Sequence, residues 1–338
     1  MSKIKVNSLE GVGASTPAIT IDNASGTCTA NITNNLSNRN LIINGAMQVA
    51  QRGTSFADSA SGSYTLDRFL IQNSSGTPAF TITQDTDAPI GFNNSLKVAC
   101  TTADASPAAG SFSRIRYSVE AQDLQPLAKG TSSAKAQTLS FYVKTNKTGV
   151  YTVFIFDDDN TRMMSASYTV SDTNWNRYTI SIPADTTGAM ADDNGAGYVI
   201  HWGLSLGSNR TSGSLASTWA AYTQANEHVG NVNFADNTSN VWAITGLQLE
   251  VGSVATDFEH RAFGQELALR QRYFFTNSSS YFPSPMTMQF QFPTAMRAAP
   301  TITHTHSGSP TINNMTTVGF MGYNAANTIG AYSADAEL

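Results

Sequence analysis

Thr138 to Lys144 (TLSFYVK), Val150 to Phe156 (VYTVFIF) and Ser165 to Val170 (SASYTV) follow one another closely in the chain and read as successive β-strands. Aromatic and β-branched residues dominate each run, which suits a pleated, half-buried surface. The separators are short: Thr148-Gly149 after the first run and Asp157-Asp158-Asp159-Asn160 after the second. Glycine supplies the backbone freedom a tight turn needs, and Asp and Asn cap turns by bonding their own backbone. The second and third runs therefore predict an antiparallel hairpin around an acidic tip. A crossover helix joining parallel strands needs a dozen or more residues, and none fits there.

Outward from this hairpin the same pattern recurs at Asp67 to Ile71, Phe80 to Thr83, Leu96 to Cys100, Phe112 to Glu120, Asn176 to Ile182, Tyr198 to Leu206 and Val241 to Glu250. About ten strands without helices between them predict an all-β fold, an antiparallel β-sandwich of the jelly-roll type over residues 39–263. Residues 1–38 hold only short bursts, Ile4 to Val6, Ala18 to Ile21 and Thr27 to Ile32. They are too polar to bury a core alone, so they read as an extended segment that docks onto a larger surface or intertwines with other copies. Gly264 to Arg272 is the one convincing helical run. Beyond it Tyr273 to Phe275, Met288 to Phe292, Thr301 to His306 and Val318 to Tyr323, interrupted by prolines, predict a small C-terminal β module over 264–338.

Composition narrows the function. Of 338 residues only 13% are charged, against about 25% in an average protein, and 19 Lys and Arg face 24 Asp and Glu for a net charge of -5. No basic cluster is available to track phosphates, so nucleic-acid binding is excluded, as are coiled coils and charged tails. Cys28 and Cys100 make neither a disulfide framework nor a zinc site. No stretch has the apolar length of a signal peptide or a membrane span, so the chain is expected to be made in a cytoplasm without membrane insertion.

Catalytic patterns are sparse. Asp157, Asp158, Asp159, Asp192, Asp193, Glu250, Asp257 and Glu259 are the carboxylates from which a glycan-cleaving pair would be drawn, although Asp runs between strands read first as turns and second as structural calcium loops. There is no Gly-x-Ser-x-Gly elbow, and His201, His228 and His260 have no partner pattern. His304 and His306 lie two apart, so on a strand both imidazoles share a face; in a three-fold trimer they would bring six imidazoles to the axis, a candidate metal site. Trp202 and Trp242 fall inside strand patterns and are assigned to the core. Trp219 and Tyr222 fall in the polar stretch Thr218 to Asn226, where packing explains a large ring less easily. They are the candidate glycan contacts.

Several stretches together resemble the tail-fibre-like and other minor structural proteins of tailed bacteriophages, of the marine and cyanobacterial phage type. The opening Met1 to Glu10 is similar to the segment by which such fibres start. Asn40 to Gly53 (NLIINGAMQVAQRG) with Asp67-Arg68-Phe69 is similar to the entry of their jelly-roll module, and Thr138 to Lys144 with Trp175-Asn176-Arg177-Tyr178 to its middle. Ile244 to Gly252 with Asp257 to Arg261 resembles its final strand, and Glu266 to Leu269 with Gln271 to Phe274 its exit. The resemblance covers roughly residues 1–300. It implies a homotrimeric virion appendage that touches host-surface glycans, assembled in the host bacterial cytoplasm, held to other virion proteins through residues 1–38, and built on a jelly roll like those of carbohydrate-binding proteins. It transfers no catalytic residue. No cofactor is expected, a structural metal ion aside. A tailspike-like glycan depolymerase, or a capsid or neck decoration without receptor binding, are the alternatives.

Overall fold

The computed structural model describes residues 8–9, 19–21, 28–30, 38–58, 62–74, 78–284, 286–307, 310–324 and 326–338. Three short strands, β1 (Ser8–Leu9), β2 (Ile19–Ile21) and β3 (Cys28–Ala30), form a small antiparallel sheet; the expected Ile4 to Val6 burst lies outside the described residues. The body then runs through β4 (Ser55–Asp58), β5 (Ser63–Tyr64), β6 (Leu70–Asn73), β7 (Ala79–Asp85), β8 (Ser95–Thr102), β9 (Phe112–Glu120), β10 (Gln137–Thr145), β11 (Gly149–Asp157), β12 (Arg162–Val170), β13 (Asn176–Ile182), β14 (Ala196–Leu206), β15 (Ala220–Ala221) and β16 (Val241–Val251).

These strands make two antiparallel sheets, six strands in the order β13-β10-β16-β8-β7-β4 and seven in the order β15-β12-β11-β14-β9-β6-β5. The chain crosses between them repeatedly, and the fold is an all-β antiparallel sandwich of the jelly-roll type. The hairpin read from the sequence is β11 and β12, in register from Gly149 opposite Val170 to Asp157 opposite Arg162. Period-two burial explains why the sheets stack. Leu139, Phe141 and Val143 of β10, Leu96 and Val98 of β8, and Trp242 and Ile244 of β16 face inward from one sheet. Tyr151, Val153 and Ile155 of β11, Tyr198, Ile200 and Trp202 of β14, and Ile115 and Tyr117 of β9 face them from the other. Trp202 and Trp242 are fully buried.

One strand starts later than its sequence pattern. β6 begins at Leu70 because Asp67 and Arg68 form a turn: Arg68 has a left-handed φ of 74°, and the Phe69 amide donates to the Leu66 carbonyl at 2.8 Å.

The helix α1 (Phe263–Gln271) leads to β17 (Phe274–Phe282), β18 (Met288–Gln291), β19 (Thr301–His304), β20 (Thr311–Asn313), β21 (Gly319–Tyr323) and β22 (Thr328–Asp335). They form two three-stranded sheets, β17-β22-β19 and β18-β21-β20, around a core of Phe282, Phe292, Met296, Phe320, Tyr332 and Ala334.

A buried charge cluster fixes this module to the sandwich. Glu337, its side chain 2% exposed, lies 2.8 Å from Arg68 Nη1 and 3.1 Å from Arg270 Nη2 of α1. Arg52 reaches Asp335 at 2.9 Å, and Arg270 is 3.6 Å from Asp67. The Arg68 guanidinium also lies 3.6 Å from the centre of the Tyr273 ring. Burial pushes the Glu337 carboxyl up, but Arg270, Arg68 and Arg52 outweigh it and hold the group below its ordinary value of 4.5.

Glu337→Gln keeps the shape and strands two buried guanidiniums. It should cost about 3–5 kcal/mol, read as a lowered urea midpoint. Because the folded-state pKa is depressed, the stabilisation in the native protein is present above pH 4.5 and is lost as pH falls below it through the folded value.

Candidate functional site

The residues between the inward-facing ones on β8, β10 and β16 point away from the core and build the outer face of the six-stranded sheet. Register places Lys144 of β10 opposite Ala243 of β16, and Ala243 opposite Lys97 of β8. A cation, a small residue and a second cation thus sit side by side on adjacent strands, spaced by roughly 4.8 Å per strand. The short Ala243 side chain leaves a hollow between the two lysines. With Val241 and Ser95 beside it, this hollow is the floor of a cleft of about 550 Å³.

Loops make the walls. On one side Asp85 ends β7 and the segment after it carries Asp87. Lys97 Nζ donates to Asp85 Oδ2 at 2.6 Å, and Lys144 Nζ to Asp87 Oδ2 at 2.7 Å. Trp175 Nε1 donates to the other Asp87 oxygen at 2.9 Å, so one carboxylate ties the loop before β13 to the loop after β7. Asp172 holds the Trp175 loop in turn, accepting from the Asn174 amide and the Asn176 side chain, both at 2.8 Å. At the far rim Asn146 is fixed through Ser239 and Val241.

The hydrogen bonds from Lys144 and Trp175 outweigh burial and hold the Asp87 carboxyl below its ordinary range. For Asp85 burial is the largest single influence and pushes upward, but the bonds from Lys97 and the Asp87 amide, with the Lys97 charge, bring the carboxyl below its ordinary range too. Both acids stay ionised at neutral pH. The cleft presents ammonium donors, a carboxylate acceptor, amides and hydroxyls above an Ala and Val floor. That mixture suits a ligand with hydroxyls on its edges and C–H groups on its face.

Along the same face lies a ring cluster: Phe92 is 5.5 Å from Tyr142, 5.0 Å from Phe258 and 5.2 Å from His260, centre to centre. Gly246 makes it fit. Its φ is +64°, and a Cβ there would lie 2.8 Å from Phe92 and 2.9 Å from Tyr142.

Trp219 and Tyr222 stand elsewhere, at the β12 and β15 edge of the seven-stranded sheet. Trp219 stacks on Tyr198 at 5.3 Å, and its indole N–H donates to the Pro183 carbonyl at 2.9 Å. Tyr222 is 38% exposed, packs edge-on against Phe156 at 5.4 Å and donates to Glu227 Oε1 at 2.7 Å. Burial, together with Glu227, pushes its phenol up to about 12. Neither lines the cleft.

His304 and His306 share a face of the C-terminal module, the inner one. His306 is buried, 4.2 Å from the Phe282 ring centre and within 3.2 Å of the Ser280 hydroxyl, and the His304 ring centre is 5.9 Å away. Among the described residues no group of three or more His, Cys, Asp or Glu is placed to hold a metal.

Most of the carboxylates singled out for hydrolysis have structural partners. Asp157 is buried on Lys129 and Asn160, Glu250 accepts from Thr256, and Glu259 accepts from the Asn38 and Asn40 amides. The cleft residues Asp87, Lys97 and Lys144, with Trp175 bonded to Asp87, were missed as a group. Trp175 carried the signal that drew attention to Trp219, a large ring among polar neighbours, in Asp172-Thr173-Asn174-Trp175. The two lysines carried none, because their approach depends on strand register.

No family model matches the chain, and no curated protein matches it. Solved structures that overlap it include a protein from Bacteroides thetaiotaomicron described as a candidate sugar binder, with 13% identity, 63% of this chain and 100% of that one covered, and a TM-score of 0.35. A family 11 carbohydrate-binding module from Clostridium thermocellum, solved with a β-1,3-1,4-mixed-linked tetrasaccharide, gives 12% identity, 61% and 97% coverage and a TM-score of 0.29. TmCBM61, solved with β-1,4-galactotriose, gives 10% identity, 63% and 99% coverage and a TM-score of 0.29. These overlaps are distant, and the cleft is read from its own residues.

Gly246→Ala adds strain and a clash at once. It should lower stability by about 1–3 kcal/mol and loosen the Phe92 ring packing, measured as a fall in melting temperature and in near-ultraviolet circular dichroism.

Proposed function

We propose that this chain is a non-catalytic structural protein of a tailed-bacteriophage virion, a homotrimeric fibre or related appendage, whose β-sandwich attaches to host-surface glycans through the cleft over Lys97, Ala243 and Lys144. The glycan half of the reading rests on that cleft. A rigid sheet supplies the floor, two pinned loops supply the walls, and charged and amide groups alternate with small apolar ones, as a polyhydroxylated ring requires. The virion half rests on the resemblance of residues 1–300 to phage structural proteins and on composition. A surface rich in Ser, Thr and Asn with 13% charged residues associates with copies of itself while desolvating few ions. Assembly in the host cytoplasm and docking through residues 1–38 follow from the same reading.

Retention of the full-length protein on host-surface polysaccharide tests the glycan half. Lys144→Ala and Ala243→Leu should each weaken retention by about tenfold or more, one by removing a donor and one by filling the hollow. Tyr222→Ala should leave it unchanged. Loss with Tyr222→Ala and none with the cleft variants would move the ligand to the Trp219 and Tyr222 edge.

Light scattering tests assembly. The expected native mass is three times the 36.0 kDa of one chain, falling when the protein starts at Asn40. A monomer in both forms would defeat the homotrimeric fibre and favour a decoration protein.

A further inference from the structure

We infer that the cleft selects neutral glycans, gripping two adjacent hydroxyls between the Lys144 ammonium and the Asp87 carboxylate, and rejects sugars that carry a carboxylate; this rests on the glycan reading above. The charges around the cleft decide it. Two lysines reach the cleft, and each already has a carboxylate within 2.6–2.7 Å, Asp85 for Lys97 and Asp87 for Lys144. Two positive groups meet two negative ones, so the site is neutral. An anionic sugar would find no free counter-charge, would have to displace Asp87 from Lys144, and would then face that carboxylate at close range. The chain's net charge of -5 opposes it from further away.

A hydroxyl donates one hydrogen bond and accepts others, so it is matched by a donor and an acceptor set side by side. Lys144 and Asp87 are such a pair. The ammonium spends one of its three N–H groups on Asp87, and Asp87 accepts one bond at each oxygen, from Lys144 and from Trp175, with a lone pair left on each. Side-chain exposures of 37% for Lys144 and 53% for Asp87 keep the remaining donors and lone pairs open to a ligand. Their mutual bond holds them in place, and hydrogen bonds to ionised groups are the stronger kind.

Native affinity electrophoresis of the full-length protein tests this, in gels cast with neutral polysaccharides (galactan, xylan, mixed-linked β-glucan, mannan) or acidic ones (polygalacturonate, alginate, polysialate), each at low and high salt. The expected result is retardation by a neutral polymer, little changed by salt, and none by the acidic set. Asp87→Asn, at an exposed position and nearly isosteric, leaves the Lys144 charge unpaired. It should weaken neutral binding by about tenfold and bring salt-sensitive retention on an acidic polymer. Wild-type retention on acidic polymers alone would overturn the inference and leave glycan binding standing. Unchanged neutral binding by Asp87→Asn would also overturn it, because the pair would not be the grip. Retention on no polymer would overturn the glycan reading and this inference with it.

Discussion

Phe141 meets Trp202 edge-on across the sandwich, ring centres 6.0 Å apart and planes at 89°, and the inward row on β10, β16 and β8 is set by contacts of this kind. Such burial fixes more than the core. Side chains alternate between faces with a period of two, so sliding β16 by one residue would turn Trp242 to solvent and Ala243 inward. The core forbids that slip. By forbidding it, the core sets which residues face outward, and thereby places Lys97, Ala243 and Lys144 in one row. The floor of the cleft is a by-product of packing on the opposite face of the same sheet.

Charge is the second constraint. A chain with so few ionised groups places many of them in dry clusters. Lys129, nearly fully buried, sits 2.5 Å from Asp157 and 3.1 Å from Asp185. Glu227 binds Arg114 and Arg210 and accepts from Tyr222. Glu337 joins Arg68 and Arg270. Clusters like these cost desolvation and add little net stability over apolar packing, but removing one member strands the others. Their effect here is positional. The Lys129 set holds the acidic tip of the β11–β12 hairpin against the turn after β13, the Glu227 set pins the loops outside the seven-stranded sheet, and the Glu337 set seats the C-terminal residues. The pairs at the cleft differ in being a fifth to a half exposed, which leaves donors and lone pairs open to solvent.

The strands were legible because their runs are long and apolar on one side. Phe112 to Glu120 and Asn176 to Ile182 begin and end where the sequence pattern does. The turn at Asp67-Arg68 was not legible, since the left-handed Arg68 is held by Glu337 and Tyr273 from the far end of the chain. β22 was missed as well: Thr328 to Asp335 (TIGAYSAD) has too few large residues to announce a strand that pairs on both sides. The acidic tip was rightly read as a turn, while its burial on Lys129 depends on a partner the local pattern does not contain. The cleft was the least legible part. Polar neighbours flagged Trp219 and Tyr222 without revealing that Tyr198 and Glu227 already engage them, and the Lys97, Ala243 and Lys144 row joins three strands far apart in sequence.

The floor and the walls of the cleft differ in how freely their side chains can change. The floor residues alternate with core residues, so changes there are limited to side chains that respect the register. The walls, the loop that carries Asp87 on one side and the loop that carries Thr173 and Asn174 on the other, hang from the sheet by a few hydrogen bonds and contribute little to the core. Substitutions in them change the donors and acceptors that line the cleft while leaving Phe141, Trp202 and Trp242 in place. Loops carried by a rigid frame are where recognition varies most easily. Asp87 joins both walls to the floor, its carboxylate by accepting from Trp175 and Lys144 and its backbone carbonyl by accepting from the Ser95 hydroxyl. It is therefore the residue through which a change in either loop alters the chemistry of the cleft.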